Sequence, residues 1–271
     1  ILTLLVQPGA WAGDDPARIL HGRGTAACDR GRIPGPLAVT SIPFISPPHG
    51  GLFYWLTICF GVQAPHTDPM PSITPLNKAL ILINVVVFGL QYLLGGLIDV
   101  YFALWPPQAA QYGYPPFQVW QLLTYGFMHG GEAHLFFNMF AVYMFGSDIE
   151  RLFGSRRYLV YYLLCVIGAA LMHLIVVTAA GRPPSPMVGA SGGVFGLLLA
   201  FGMAFPRRTL MLIFPPIPLP AWLFVTLYGI FELVMGVTQT SSGVAHFAHL
   251  GGMATGFVII RYWQAQRRRP R

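Results

Sequence analysis

The chain has 271 residues, of which 55% are hydrophobic and only 9% are charged. A soluble domain carries roughly 25% charged residues, so the composition excludes an ordinary soluble fold and predicts an all-α, polytopic membrane protein. The net charge of +7 requires no nucleic-acid partner, because basic residues set the orientation of a membrane protein in the lipid bilayer. The cysteines Cys28, Cys59 and Cys165 lack the spacing of a disulfide framework or a zinc site.

Residues 1–70 differ in character from the rest of the chain. They are rich in glycine and proline, and their one apolar run, residues 52–62, is too short to span a bilayer. Met70 is the first methionine, and the apolar core begins just after it. We therefore predict a poorly structured N-terminal extension over 1–70 with native translation starting at Met70, a core domain over 71–263, and a basic cytoplasmic tail over 264–271.

Six hydrophobic spans follow one another in the core domain. They lie at about residues 79–97, 133–146, 158–179, 189–205, 220–237 and 244–263. The segment at about 98–118 is more polar and broken by prolines, so we predict a long loop there rather than another span. Six spans return the chain to the side of the membrane from which it started.

The positive residues after Met70 are distributed unevenly between the two sides of this arrangement. If the spans alternate, one side holds Lys78, Arg151, Arg156, Arg157, Arg207, Arg208, Arg261, Arg267, Arg268, Arg269 and Arg271. The opposite loops hold only Arg182. Positive loops stay in the cytoplasm, so both termini are predicted to be cytoplasmic. The compact core is typical of a prokaryotic protein, which predicts the bacterial inner membrane.

Three even-numbered spans, which enter from the outer face, begin with polar side chains. These side chains are His129, His134 and Asn138 at span two, Ser191 at span four, and His246 and His249 at span six. Polar and ionisable residues inside a membrane are costly and usually face an interior cavity. Their similar depth on three helices therefore predicts one shared site just below the outer surface.

Ser191 lies in the stretch Gly-Ala-Ser-Gly-Gly-Val-Phe-Gly at residues 189–196. Taken alone, such a stretch favours helix packing, since small residues line the contacts between membrane helices. Together with a histidine at the same depth, it indicates acyl transfer, with Ser191 as the nucleophile and His249 as the general base. Gly252 and Gly256 follow His249 and would let span six pack closely, bringing this histidine near the serine.

Two further polar residues are candidates for binding the oxyanion. His134 and Asn138 are one helical turn apart, so both can donate hydrogen bonds to the tetrahedral intermediate beside the backbone N–H of Ser191. No acidic residue is placed to orient His249, so we predict a Ser-His dyad rather than a triad.

The stretches His134-x-x-x-Asn138, Gly189-Ala190-Ser191-Gly192 and Ala248-His249-Leu250-Gly251-Gly252 resemble the rhomboid family of intramembrane serine proteases. The resemblance covers about residues 71–263 and implies a rhomboid-like bundle of six transmembrane helices. It implies an endopeptidase that cleaves transmembrane segments of other membrane proteins near the outer membrane face. It also implies the Ser191–His249 dyad, with His134 and Asn138 at the oxyanion, and His129 matches a family histidine that supports the structure.

The chain departs from the family pattern at two positions. Where many members carry Trp-Arg in the first loop, this chain has Trp120-Gln121, which puts the anchoring of the loop in doubt. Where some members have a tyrosine that stacks on the catalytic histidine, this chain has Phe195. Phenylalanine keeps the stacking face, so we expect little effect on activity.

Three other classes of function are compatible with some of these residues: a metalloprotease, a transporter and a non-catalytic binding protein. His246, His249, His129 and His134 could bind a metal, but no His-Glu-x-x-His occurs and Glu132 lies in the wrong frame. We predict neither a metal nor a cofactor. Glu232 in span five has no obvious cation and is expected to face polar groups or water, although it could mark the proton path of a transporter. A non-catalytic protein that only binds membrane helices would be expected to lack the serine or the histidine.

The mechanism implies a route for water and a route for substrate. Hydrolysis requires water, so we expect a polar cavity that opens outward between spans two, four and six. Span five is preceded by Pro215, Pro216, Pro218 and Pro220, and is the predicted lateral gate for substrate.

Overall fold

The computed structural model describes residues 4–6, 72–181, 184–212, 216–238 and 243–267. All the helices and strands described below belong to one of the two compact units into which the chain divides. The α-helices are α1 (Pro75–Leu94), α2 (Gly96–Phe102), α3 (Gln121–Thr124), α4 (Glu132–Phe153), α5 (Ser155–Ala179), α6 (Ser191–Ala204), α7 (Ala221–Thr238) and α8 (Gly243–Arg267). The 3-10 helices are Pro107–Tyr112 and Tyr125–Phe127.

A short sheet accompanies the helices. Its strands are β1 (Leu4–Val6), β2 (Thr209–Leu212) and β3 (Pro218–Pro220), all antiparallel in the order β1-β2-β3. Strands β2 and β3 form the connection between α6 and α7. Strand β1 comes from the predicted N-terminal extension, and the remainder of residues 1–70 lies outside the described residues.

The described part of the chain is mostly helical, and each predicted span overlaps one of its long helices. Three of these, α1, α5 and α7, are long and apolar enough to cross a membrane, and α6 is apolar but shorter, at 14 residues. Helices α4 and α8 have 22 and 25 residues, enough length for a bilayer at about 1.5 Å per residue, but they carry more polar residues. The chain is therefore a polytopic membrane protein.

Two helix boundaries differ from the predictions for physical reasons. Helix α1 begins at Pro75, a residue preorganised for a first helical position, rather than near residue 79. It ends at Leu94, because the following residue, Gly95, has a φ of 60° that breaks the helical path, and α2 begins at Gly96. The segment predicted as a loop thus contains α2 and a 3-10 helix. At the other end of the chain, α8 continues to Arg267 into the predicted basic tail, and residues 268–271 lie outside the described residues.

The core is built around α5, where close approach depends on small residues. Tyr158, Tyr161 and Tyr162 of α5 are fully buried. A Cβ atom at Gly252 of α8 would overlap the carbonyl oxygen of Gly192 in α6, which explains the close contact predicted between these two helices. Gly256 instead faces the hydroxyl of Tyr161 in α5, so Gly252 and Gly256 contact different helices.

The first loop is anchored by the glutamine that replaces the family arginine. Gln121 is fully buried, and its side-chain oxygen accepts hydrogen bonds from the backbone N–H groups of Trp105 (3.3 Å) and Gln118 (3.1 Å). Its amide nitrogen donates to the carbonyl of Tyr101 at 3.3 Å. A neutral amide that both accepts and donates therefore anchors the loop whose attachment the sequence left in doubt.

Candidate active site

Ser191 is the first residue of α6, and the segment before it is held in place by its neighbours. The backbone of Met187 exchanges two hydrogen bonds of 3.0 Å with Leu104. The N–H of Gly189 donates to the carbonyl of Tyr125 at 3.0 Å. Gly189 has a φ of 135°, and a Cβ atom there would lie 2.8 Å from Nε2 of His134. Glycine is needed at this position both for its backbone conformation and for space.

His249 of α8 lies directly beside the serine. Its Nε2 atom is 3.0 Å from Oγ of Ser191, within hydrogen-bonding distance for proton transfer. The ring of Phe195, one turn into α6, stacks on the imidazole with a centroid separation of 4.2 Å and an interplanar angle of 8°. The ring of Tyr228 in α7 also stacks on Phe195, with a centroid separation of 5.1 Å. The plane of the His249 ring is therefore defined by aromatic packing.

An acidic side chain does face His249, contrary to the sequence prediction. Oε2 of Glu232 lies 2.9 Å from Nδ1 of His249 and 2.7 Å from Nδ1 of His246. The Glu232 side chain is only 3% exposed. Sequence analysis missed this contact because Glu232 is on α7 and both histidines are on α8, and no motif links the two helices.

Glu232, His246 and His249 are a possible metal-binding group. The distances between their ligand atoms test this possibility. Their ligand atoms all lie within 4.8 Å of one another. Two ligands of a tetrahedral zinc ion are separated by roughly 3.3 Å, given metal–ligand bonds of about 2.0–2.1 Å. The separations of 2.7 and 2.9 Å are instead those of hydrogen bonds. The arrangement fits a carboxylate that accepts from two imidazoles.

His134 of α4 contributes to the same cavity as Ser191. Its Nδ1 accepts a hydrogen bond from the backbone N–H of Gly130 at 3.3 Å. A neutral imidazole that accepts at Nδ1 carries its proton on Nε2. This Nε2 lies on the side of Gly189, so the free N–H is directed toward the segment that precedes the serine.

Asn138 and His129 are both buried, in different surroundings. Among the described residues, the side-chain nitrogen of Asn138 has no hydrogen-bond partner, although the residue is only 6% exposed. His129 precedes α4 and packs edge-on against His134 at 5.1 Å. Burial, and after it the neighbouring His134, lowers the pKa of His129 to about 4, so this ring is neutral at neutral pH. Among the described residues, neither ring nitrogen of His129 has a hydrogen-bond partner.

Two cavities adjoin these side chains. One, of about 190 Å³, contains Ser191, His134 and His249 in its wall, together with Tyr125 and Ala169. Helices α4, α6 and α8, the three that were predicted to enclose the site, all contribute to it. The second, of about 280 Å³, is a groove between α4 and α7 with α6 in its wall, and is mostly apolar. It is lined by Phe137, Asn138, Phe140, Ala141, Met144, Phe145, Val194, Phe195, Leu198, Phe224 and Tyr228.

Comparison with known proteins identifies similar chains. A family model described as the Rhomboid domain matches residues 116–265, more than half of the chain. RHOMBOID-like protein 12, mitochondrial, of Arabidopsis thaliana is 35% identical over 153 residues, which cover 51% of this chain and 44% of that protein. Rhomboid protease GluP of Bacillus subtilis is 31% identical over 139 residues, 51% of this chain and 25% of that protein.

Rhomboid protease GlpG of Serratia proteamaculans is 25% identical over 195 residues, 72% of this chain and 64% of that protein. The chain thus spans between a quarter and just under two thirds of the length of these relatives. They include bacterial proteins and one whose name places it in mitochondria, so the similarity is compatible with either location.

Proposed function

The chain belongs to the rhomboid family, and from this premise we propose that it is an intramembrane serine endopeptidase that cleaves transmembrane segments of other membrane proteins. The observation that carries the proposal is the 3.0 Å contact between Nε2 of His249 and Oγ of Ser191 at the wall of a cavity. A serine and an imidazole in hydrogen-bonding contact are the minimum required for nucleophilic acyl transfer.

In the proposed reaction, His249 accepts the hydroxyl proton at Nε2 while Oγ of Ser191 forms a bond to the scissile carbonyl carbon. The C–N bond then breaks, and the same Nε2 returns the proton to the departing amine. A water molecule hydrolyses the resulting acyl-enzyme by the reverse proton transfers. Ser191 and His249 thus act as nucleophile and general base, and no metal or cofactor takes part.

Three N–H groups are proposed to stabilise the oxyanion of the intermediate. They are the Nε2–H of His134, the amide nitrogen of Asn138 and the backbone N–H of Ser191. The hydrogen bond from Gly130 supports the donor tautomer of His134. The side-chain nitrogen of Asn138, which has no partner among the described residues, supports a group held ready for a ligand. The backbone N–H of Ser191 is one of the free donors at a helix N-terminus.

The proposed topology has six membrane spans, α1, α4, α5, α6, α7 and α8, with both termini in the cytoplasm. This orientation follows from the positive residues in the alternate loops. It brings the start of α4, α6 and α8, and with them Ser191, to the outer side of the membrane. Water then reaches the cavity from that side.

The apolar groove between α4 and α7 is the proposed entry route for the substrate. Its aliphatic and aromatic lining suits a membrane helix, and Phe195 in its wall stacks on the ring of His249. Movement of α7 away from α4 would widen it, in line with the lateral gate predicted for span five. A substrate helix must unwind before its carbonyl can be attacked, so residues of low helix propensity are expected near the cut.

The proposal is tested by labelling the detergent-solubilised full chain with a serine-directed fluorophosphonate and by measuring cleavage of a model transmembrane substrate. Wild type should be labelled and active, with no sensitivity to chelators. Ser191→Ala should lose both labelling and cleavage while its thermal unfolding is unchanged. Labelling that persists in Ser191→Ala, or cleavage abolished by a chelator, would refute the serine mechanism.

A further inference from the structure

The middle of α7 contains a buried carboxylate that is linked to the proposed general base. Glu232 is the single charged residue in this 18-residue apolar helix. A charged group in a membrane helix is costly, and such residues are usually paired inside the protein. Here the partners are the two histidines of α8, at 2.7 Å for His246 and 2.9 Å for His249. This pairing satisfies the hydrogen-bonding requirement of the buried carboxylate.

The contact with His249 is on the ring nitrogen that the reaction does not use. Nε2 faces Ser191, and Nδ1 faces Glu232. A carboxylate can only accept a hydrogen bond, so Nδ1 must carry the proton of the neutral imidazole. Nε2 is then unprotonated and can accept the hydroxyl proton of Ser191. The acid therefore selects the tautomer that a general base requires.

The stacking of Phe195 cannot make this selection. Aromatic stacking fixes the plane of the His249 ring, but a half-turn about χ2 preserves that plane. It would carry Nδ1 and Nε2 to the positions of carbon atoms and remove the nitrogen from Ser191. A hydrogen bond in the plane of the ring distinguishes the two orientations. Glu232 provides that bond, so Phe195 and Glu232 together define one position of the imidazole.

We propose that Glu232 is a positioning residue of the active site, which fixes the tautomer and orientation of His249 and stabilises the imidazolium that forms during the reaction. The proposal rests on the proposed function of Ser191 and His249 and extends that pair to a serine-histidine-glutamate triad. The proton of Ser191 moves to Nε2 and later to the leaving amine. The proton on Nδ1 stays on His249 throughout, hydrogen-bonded to Glu232.

His246 holds the carboxylate in this arrangement. Its Nδ1 donates to the same oxygen, and its ring is perpendicular to that of His249 at a centroid distance of 6.2 Å. It has no described hydrogen bond to Ser191, so its effect on the reaction passes through Glu232. We therefore expect a smaller loss from removing His246 than from removing the carboxylate.

The test is the nearly isosteric substitution Glu232→Gln in the full chain, with kcat and KM measured on the model transmembrane substrate. A glutamine keeps an acceptor oxygen but has no negative charge, so it no longer stabilises the imidazolium, and its amide N–H can pair with Nδ1 in the other tautomer. We expect kcat to fall roughly a hundredfold to ten-thousandfold, the range set by an acid-to-amide change in a serine triad. KM should stay within about threefold, because no substrate contact is lost. His246→Gln should lower kcat by less than about tenfold.

Glu132→Gln is the matched control, because it makes the same chemical change at an exposed acid in the first turn of α4. Its kcat should equal that of wild type. A Glu232→Gln variant that keeps kcat within about threefold of wild type would overturn the proposal. So would activity of the wild-type chain that depends on a metal removable by a chelator, since the three residues would then be metal ligands.

A second measurement does not depend on the stability of any variant. Nitrogen NMR of histidine-labelled wild-type chain reports which ring nitrogen of His249 is protonated. The triad requires the Nδ1–H tautomer of His249, and a resting Nε2–H tautomer of this histidine would overturn the proposal. Absence of fluorophosphonate labelling in the wild type would count against the proposed function itself, whereas full activity of Glu232→Gln beside a labelled wild type counts against the role of Glu232 alone.

Discussion

Two buried glutamates, Glu150 near the end of α4 and Glu232 in α7, are each 3% exposed but have different partners. Glu150 accepts hydrogen bonds from the hydroxyl of Ser155 at 2.7 Å and the backbone N–H of Asn77 at 2.8 Å, as well as from the hydroxyl of Thr74. These donors belong to α5, to α1 and to the residue that precedes α1. Glu232 accepts instead from two imidazoles, one of which contacts Ser191.

The comparison shows that equal burial does not imply an equal role. We call the cluster of Thr74, Asn77, Glu150 and Ser155 the closed end. Its hydroxyl and amide donors take no part in proton transfer, and their hydrogen bonds join helices. We call the cluster of His134, Asn138, Ser191, Glu232 and His249 the open end. It contains groups proposed to transfer protons, an amide nitrogen without a described partner, and a cavity. Three predictions test this division.

The largest effect is expected at the open end. Asn138→Ala removes an amide donor that has no described partner and should lower kcat by roughly tenfold to a thousandfold if it is one of several oxyanion donors. Its thermal stability should not fall, because no protein hydrogen bond among the described residues is lost from that nitrogen. Kinetics on the model substrate and thermal unfolding in detergent check the two halves. An unchanged kcat would remove Asn138 from the oxyanion site.

The opposite pattern is expected at the closed end. Glu150→Gln replaces an acceptor of several hydrogen bonds by an amide with one acceptor oxygen, and should destabilise the fold by about 1–3 kcal/mol. The kcat of the molecules that remain folded should stay close to that of wild type. Active-site titration with the fluorophosphonate gives the folded fraction by which activity is normalised. A loss of kcat without a loss of stability would break the division between the two ends.

The smallest effect is expected for Phe195→Tyr. The substitution keeps the aromatic face that lies 4.2 Å from the His249 ring and adds only a hydroxyl, as in some family members. We expect kcat and KM within about threefold of wild type. Phe195→Leu is the comparison variant, since it loses the flat face while remaining apolar. If the two variants lose activity equally, stacking does not position His249.

Much of the helical fold was predictable from the sequence. Long apolar segments indicate membrane-spanning helices, and each predicted span overlaps a helix of the described structure. The three motifs around Asn138, Ser191 and His249 are local in sequence and led to the family that the comparisons identify. Local features such as a proline at the start of α1 or a glycine at its end set boundaries to within a turn or so.

Other features were outside the reach of a local pattern. The hydropathy of α7 reveals that Glu232 is out of place in a membrane helix, but it does not reveal which neighbour it faces. Nothing in the first loop indicated that the amide of Gln121 would both accept from two backbone groups and donate to a third. Gly252 and Gly256 of α8 were expected to contact α6, and Gly256 contacts α5 instead.

The sequence alone determined that this protein is a mostly helical membrane chain and which serine and histidine are candidates for chemistry, because composition, spacing and short motifs act over one or two helical turns. Only the tertiary structure decided that a carboxylate lies against that histidine. Glu232 and His249 are 17 residues apart, on two helices that pack side by side. Their contact depends on the rotation and depth of one helix against the other, which packing across the whole bundle sets.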